Sequence, residues 1–362
     1  MFSFEALSLK IGELTARIPI IQGGMGVGIS LSGLASAVAN TGGIGVISAA
    51  GIGMLEKDFG SDFLEANLNA LRNEIRKAKE KTKGILGVNI MVAMSNFAEL
   101  VKTSIEEKID IIFAGAGLPL NLPSFLGEEK HTKLVPIVSS ARAIGLIAKR
   151  WLKKYRYAPD AVVVEGPMAG GHLGFSKEQL TDPDYSLEKL VVEVINEVKK
   201  IEEETGKHIP VIAGGGIYTG EDIYKITQLG AAGVQMATRF VTTEECDASI
   251  DFKNAYINCK KEDIGIIKSP VGVPGRAIMN DFLYDVEEGR KKPYKCPYHC
   301  IITCDIEKSP YCIALALMNA KTGKLKNGFA FAGANAYRAN EIVPVGKLVE
   351  TLANEYNQPS GK

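Results

Sequence analysis

The stretch PVIAGGGIYTGED, residues 210–222, sets an apolar run against three consecutive glycines and then the start of a helix. Val211, Ile212 and Ala213 read as a short strand buried on both faces. Gly214, Gly215 and Gly216 leave main-chain N–H groups unobstructed. Thr219 or Gly220 then opens an amphipathic stretch over 220–229. Strand, glycine turn and helix make one βα unit, and the fold turns on how often that unit recurs.

Eight strands are predicted, at 18–22, 44–48, 86–92, 110–114, 134–139, 161–166, 210–214 and 233–238. Helical patterns fill 31–40, 60–82, 95–107, 140–155, 187–204 and 220–229. The link LPLNLPSFL (118–126) leaves room for only a short helix. An open doubly wound sheet is the rival, but a count of eight favours an α/β fold closed as a TIM (β/α)8 barrel. The barrel is expected over 1–240. Residues 241–335 read as an appended or inserted segment on the substrate side, partly helical and rich in cysteine. Residues 336–362 hold a closing amphipathic helix, EIVPVGKLVETLANEY (341–356).

Lys+Arg and Asp+Glu each number 42. This balance argues against nucleic-acid binding, which calls for a basic surplus. The start, MFSFEALSLKIGEL, lacks the basic and apolar regions of a signal peptide, and no apolar run reaches the ~18 residues of a membrane span. A cytoplasmic protein with no membrane partner is expected.

Barrel enzymes build their sites at the C-terminal ends of the strands. Five such ends here carry residues that a plain core does not require. After the first comes QGGMGVGIS (22–30), where Gly23 and Gly24 let main chain approach a flat ring and Met25 offers a soft apolar surface. Asn89 interrupts an apolar strand and needs a polar partner; Gln22 and Gln235 invite the same argument more weakly. Gly215 and Gly216, with Met236, Ala237 and Thr238, put amides where barrels commonly hold a phosphate, and the helix beginning near Thr219 points an N-terminus the same way. The motif EGPMAGGHLGF (165–175) places Glu165 at a strand end and His172 behind Gly170 and Gly171. An imidazole there is a candidate proton carrier. Tight turns and core packing are the alternative account of each feature.

All six cysteines lie after residue 245. Their absence from the barrel loops counts against a dehydrogenase that forms a covalent thioimidate on a nucleotide. Four of them fall in KCPYHCIITCDIEKSPYC (295–312): Cys296, Cys300, Cys304 and Cys312. Four thiolates can hold zinc or an iron–sulfur cluster, but the spacing matches no standard pattern and reduced cysteine is common in cores. No metal is assigned.

Together IPIIQGGMG, GVNIMV, VVVEGPMAGGHLG, IPVIAGGGI and GAAGVQMATRF resemble the nitronate monooxygenase family, once called 2-nitropropane dioxygenases, and the related flavin-dependent enoyl-acyl-carrier-protein reductases. SPVGVPGRAIMNDF (269–282) and FAFAGANAYR (329–338) resemble the family's C-terminal elements. The resemblance implies a TIM barrel that binds FMN. It places FMN contacts on Gly23, Gly24, Met25, Asn89, Glu165, Gly170, Gly171, Gly215, Gly216, Gln235, Met236, Ala237 and Thr238, and the catalytic base on His172. It implies oxidation of nitronates or nitroalkanes by O2 to carbonyl compounds and nitrite. The alternatives are an NAD(P)H-dependent enoyl reductase and a non-catalytic flavin-binding sensor. A homodimer is left open.

Overall fold

The computed structural model describes residues 4, 7–56, 62–128, 131–293, 296 and 298–358. Eight parallel strands form the central sheet: β1 Ile20–Gln22, β2 Gly45–Ser48, β3 Leu86–Met91, β4 Ile111–Gly115, β5 Lys133–Val138, β6 Val162–Glu165, β7 Val211–Gly214 and β8 Gly233–Met236. Neighbours follow chain order from β2 to β8, and β8 pairs with β1. Ile44 closes the ring by donating to the Ile20 carbonyl at 3.0 Å and accepting from Gln22 N–H at 2.9 Å. The sheet is a barrel.

The helices follow the predicted pattern: α1 Ser32–Thr41, α2 Phe63–Lys81, α3 Phe97–Glu106, α4 Ala141–Tyr155, α5 Leu187–Thr205 and α6 Gly220–Gln228. Between β4 and β5 only a 3-10 turn forms, Leu122–Phe125. Polar side chains start the helices where the sequence supplies them. Asp62 accepts from Glu65 N–H, and Ser140 from Ala143 N–H.

Strand residues alternate between two apolar layers. Ile20, Val88, Ile90, Ile112, Val162, Val164 and Ala213 face the helices. Ile21, Val46, Ile111, Phe113, Val135, Val163 and Ile212 fill the interior. An antiparallel ribbon, Leu9–Ile11 with Leu14–Ala16, plugs the N-terminal end with Leu9, Ile11 and Ala16. The barrel is therefore solid below and can admit a ligand only at the other end.

Beyond β8 come α7 Thr238–Val241, α8 Ile250–Asn258, a hairpin of Ile264–Lys268 with Pro274–Ile278, α9 Asp281–Glu287, α10 Ile313–Lys321 and α11 Val345–Asn357. The hairpin adds to a short strand, Gly171–His172, in the loop after β6. Phe282, Leu283, Tyr311, Ile313 and Phe329 form a separate small core there. α11 packs against α6 and α1, burying Leu348, Val349 and Leu352 in the main core. No described helix is long and apolar enough to cross a membrane.

Candidate active site at the barrel mouth

Period-two alternation decides which strand ends face the mouth. Gly87 sits against the Phe113 ring inside the barrel, so Asn89 also points inward. Gly233 abuts Leu9 of the plug, so Gln235 points inward as well. Val163 and Ile212 fill the interior, so Glu165 and Gly214 follow them. Glu165, Gly214 and Gln235 lie side by side across three strands, Glu165 paired with Gly214 and Gly214 with Gln235. The loop after β1 completes the ring. A Cβ on Gly24 would come within 2.4 Å of Asn89 Cβ, and one on Gly23 within 3.4 Å of the Gln235 side chain. Main chain without side chains thus runs between two inward amides.

These polar groups are almost unused by the protein itself. Asn89 Nδ2 reaches the Phe113 carbonyl only at 3.4 Å. The Glu165 carboxyl and the Gln235 amide have no hydrogen-bond partner among the described residues. These groups are half-buried and reached from the open mouth, so a ligand can meet them. A flat heteroaromatic group that offers both donors and acceptors would satisfy them. Gln22 is different: it accepts from Val46 N–H and donates to the Gly23 carbonyl, so it holds the barrel rather than a ligand.

The loops after β6, β7 and β8 stack on one another. A Cβ on Gly215 would meet Gly166 O at 2.8 Å, and one on Gly216 would meet Met168 Cβ at 2.9 Å. Both glycines have φ of +94°, which side-chain-bearing residues rarely adopt. Gly170 is required by the close passage of Ala332 and Gly333, while Gly171 faces open space. Ala237 and Thr238 begin α7, and the Thr238 hydroxyl accepts from Gly333 N–H at 3.1 Å. Its own proton remains free to donate. Met236 turns its side chain into the outer core, so only its main chain reaches this face. Met25 likewise packs against the main core.

One expectation is corrected. The N-terminus of α6 was expected to point at an anion, yet carboxylates already occupy it. Asp222 accepts from Tyr218 and Thr219 N–H, and Glu355 of α11 accepts from Gly220 N–H at 2.7 Å. A phosphate would meet repulsion there. The uncapped amides of the Gly215–Gly216 and Ala237–Thr238 turns are left to receive one.

His172 is brought to the mouth by strand pairing with Gly275. Its Nε2 lies 2.7 Å from Ser269 Oγ, and Phe331 packs edge-on at a centroid distance of 5.0 Å. Val271 N–H donates to the same Ser269 oxygen. Behind this turn, Arg276 donates to the carbonyls of Pro167 and Ala169, both at 2.6 Å. A buried guanidinium so engaged fixes the loop that carries Gly170 and Gly171. No role was read for Ser269, Arg276 or Phe331 in the sequence.

Burial moves the two titratable groups in opposite directions because it disfavours either charged form. His172 is pushed down to about 4, and Glu165 up to about 7. At neutral pH the imidazole is therefore in its neutral form. Unfolded carboxyls titrate near ~4.3 and imidazoles near ~6.5. Above the first value the folded protein keeps a Glu165 proton that the unfolded chain has lost. Its contribution to stability therefore falls as pH rises to about 7. Between about 4 and ~6.5 the unfolded chain binds the histidine proton and the folded one does not, so the His172 contribution rises with pH. The two offset each other. In flavin-free protein, Glu165→Gln is expected to make Tm climb more steeply with pH over this window, and His172→Asn to make it fall. Thermal melts across the range check this; unaltered slopes in both variants would contradict it.

The description of the nitronate monooxygenase family matches residues 8–355. The chain belongs to the nitronate monooxygenase family. It is accordingly an oxidoreductase. Within that family, a Staphylococcus saprophyticus protein described as "Probable nitronate monooxygenase" is 27% identical, over 78% of this chain and 81% of its own. One from Staphylococcus aureus with the same description is 25% identical over 95% and 96%. Among solved structures, FabK from Thermotoga maritima superposes with a TM-score of 0.72 at 28% identity, covering 94% of this chain and 93% of its own. A nitroalkane oxidase from Streptomyces ansochromogenes shares the fold, with a TM-score of 0.69 at 22% identity over 94% and 96%.

Proposed function

We propose that this member of the nitronate monooxygenase family is an FMN-dependent enzyme that oxidises nitronates and nitroalkanes with O2, giving carbonyl compounds and nitrite. The observation that carries the reading is a neutral imidazole, His172, held by Ser269 at a mouth lined with unpaired amides and bare main chain. Asn89, Glu165 and Gln235 would meet the polar edge of the flavin ring. The amides of Gly215, Gly216, Ala237 and Thr238 would meet its phosphate. When bound, FMN takes electrons from the substrate carbon and passes them to O2; the protein supplies orientation and proton handling.

In the tautomer that acts as a base, His172 Nε2–H donates to Ser269 Oγ and Nδ1 carries the lone pair. Nδ1 takes the α-proton of a neutral nitroalkane. Once protonated, the ring pairs with the nitronate oxygens and holds them in place. Phe331 keeps the ring upright and water away from one side. Ser269→Ala removes the group that fixes this tautomer. Turnover of a nitroalkane should fall about tenfold, the loss of roughly one hydrogen bond, with a displaced acid limb in the pH profile and unchanged flavin content. Steady-state kinetics over pH checks this.

The likeness to FabK favours a second reading, reduction of an enoyl thioester by NAD(P)H. Anaerobic stopped-flow mixing separates the two. Flavin bleaching by propionate-3-nitronate, with slow bleaching by NADH and NADPH, is the expected result. Fast bleaching by a nicotinamide and none by a nitronate would replace the oxidase reading with the reductase.

A further inference from the structure

The loops around the mouth differ from the rest of the surface in charge. Segments 92–97, 115–127, 166–176, 269–275 and 300–304 contain no Asp, Glu, Lys or Arg, although charged residues make up 23% of the chain. The nearest charges beyond them are engaged or turned away. Arg276 donates to the carbonyls of Pro167 and Ala169, and Asp305 pairs with Lys308. Lys268 precedes Ser269 on an extended strand, so it points to the opposite face from the side chain that meets His172.

The same loops expose apolar side chains: Leu118 and Leu120 after β4, Met168 after β6, Val273 in the hairpin turn and Ile302 ahead of α10. Contacts tie most of these positions into one rim beside His172. Val92 N–H donates to the Gly115 carbonyl at 2.8 Å, and a Cβ on Gly117 would stand 3.0 Å from Val92 Cβ, so the Leu118 loop leans on the loop after β3. Ile302 N–H donates to the Ala93 carbonyl of that loop at 2.9 Å. The next residue, Thr303, donates through Oγ1 to the Val271 carbonyl at 3.3 Å. Val271 N–H in turn donates to Ser269 Oγ, which lies 2.7 Å from His172 Nε2. Residues 300–304 therefore span from the loop after β3 to the turn that holds the imidazole.

A substrate whose reacting end meets His172 must leave its tail along this rim. An ionised tail there gives up water and finds no counter-charge, which is unfavourable. An alkyl tail gains from every methylene that the rim covers.

We propose that Leu118, Val273 and Ile302 select the tail of the substrate, so that the mouth takes nitronates carrying an uncharged alkyl chain and discriminates against those that end in a carboxylate. The inference rests on the nitronate reading given above and adds the substrate class to it.

The test is steady-state kinetics of the FMN-loaded enzyme on primary alkyl nitronates from ethyl to butyl, and on a pair matched in size. The pair is propionate-3-nitronate and 3-methylbutyl nitronate, in which an isopropyl group stands in place of the carboxylate. Along the series kcat/KM should rise about fourfold per methylene. In the pair, the uncharged member should be favoured by roughly tenfold or more, with the difference in KM. Propionate-3-nitronate should still reduce the flavin, because its reacting end is the same. Ile302 is 58% exposed and can be replaced by a charged residue without disturbing the core. Ile302→Lys should raise kcat/KM for propionate-3-nitronate and narrow or reverse the preference; Val273→Lys should do the same and serves if the first variant does not fold. Leu146→Lys, at an exposed apolar position on α4 away from the mouth, should leave the preference unchanged. A flat alkyl series, or a kcat/KM for propionate-3-nitronate equal to or above that of its uncharged match, would overturn this inference alone. So would an unaltered preference in folded Ile302→Lys and Val273→Lys enzymes. Failure of every nitronate to turn over would overturn the functional reading and this inference together.

Discussion

His172→Ala should lower kcat/KM for a neutral nitroalkane by roughly a hundred- to ten-thousand-fold, the usual worth of a positioned general base. The same variant should lose far less activity on a nitronate prepared beforehand in alkali, because that substrate has already lost its α-proton and forfeits only the ring's hold on its oxygens. Flavin content should not change, since the imidazole is held by Ser269 and Phe331 and not by Asn89, Glu165 or Gln235. The split between the two substrates is the diagnostic part. A general loss of folding or of flavin would depress both alike. Equal loss on nitroalkane and nitronate would assign His172 to binding rather than to proton abstraction. Full activity on both would remove it from the mechanism.

The barrel was readable because its causes are local. Strands buried on both faces must be apolar throughout, and helices between them must be apolar on one side only, so the two periods alternate visibly along the chain. Even the weak fourth connection was legible, since Pro119 and Pro123 leave room for only the 3-10 turn that forms. Ile44 shows how little sequence is needed for closure: one residue ahead of β2 supplies both hydrogen bonds that join it to β1.

The site was legible where it depends on bare main chain and not where it depends on distant pairing. Glycine runs at strand ends mark Gly23, Gly24, Gly215 and Gly216 without knowledge of their neighbours. Ser269, by contrast, meets His172 only because Gly275, over a hundred residues along the chain, pairs with it. Arg276 gives no sign in sequence that its targets are the carbonyls of Pro167 and Ala169. The capped start of α6 was misread for the same reason. Asp222 is near in sequence, but Glu355 arrives from α11 and takes the amide that an anion would have needed. Gly170 answers to segment 332–333, which no period connects to it.

Gly215→Ala should be nearly as damaging as the loss of the base, for reasons that concern shape alone. Its φ of +94° lies where an L side chain is strained, at about 1–3 kcal/mol. The new Cβ would also stand 2.8 Å from Gly166 O and 3.1 Å from Gly166 N, main-chain atoms that cannot swing aside. Overpacking of this kind adds about 1–3 kcal/mol. Relief requires the loops after β6 and β7 to part, which moves the amides of Gly215 and Gly216 together with the loop that carries His172. A shift worth about 3 kcal/mol in the binding-competent arrangement corresponds to roughly a hundredfold weaker flavin binding, measurable by fluorescence titration of the flavin-free protein. Gly206→Ala is the control. Gly206 ends α5 at the opposite face of the barrel with φ of +68° and no atom within 4 Å of its would-be Cβ. It carries strain without crowding, so it should lower stability by about 1 kcal/mol and leave flavin affinity alone. Equal effects of the two substitutions on flavin affinity would mean that the stacked loops do not form the cradle.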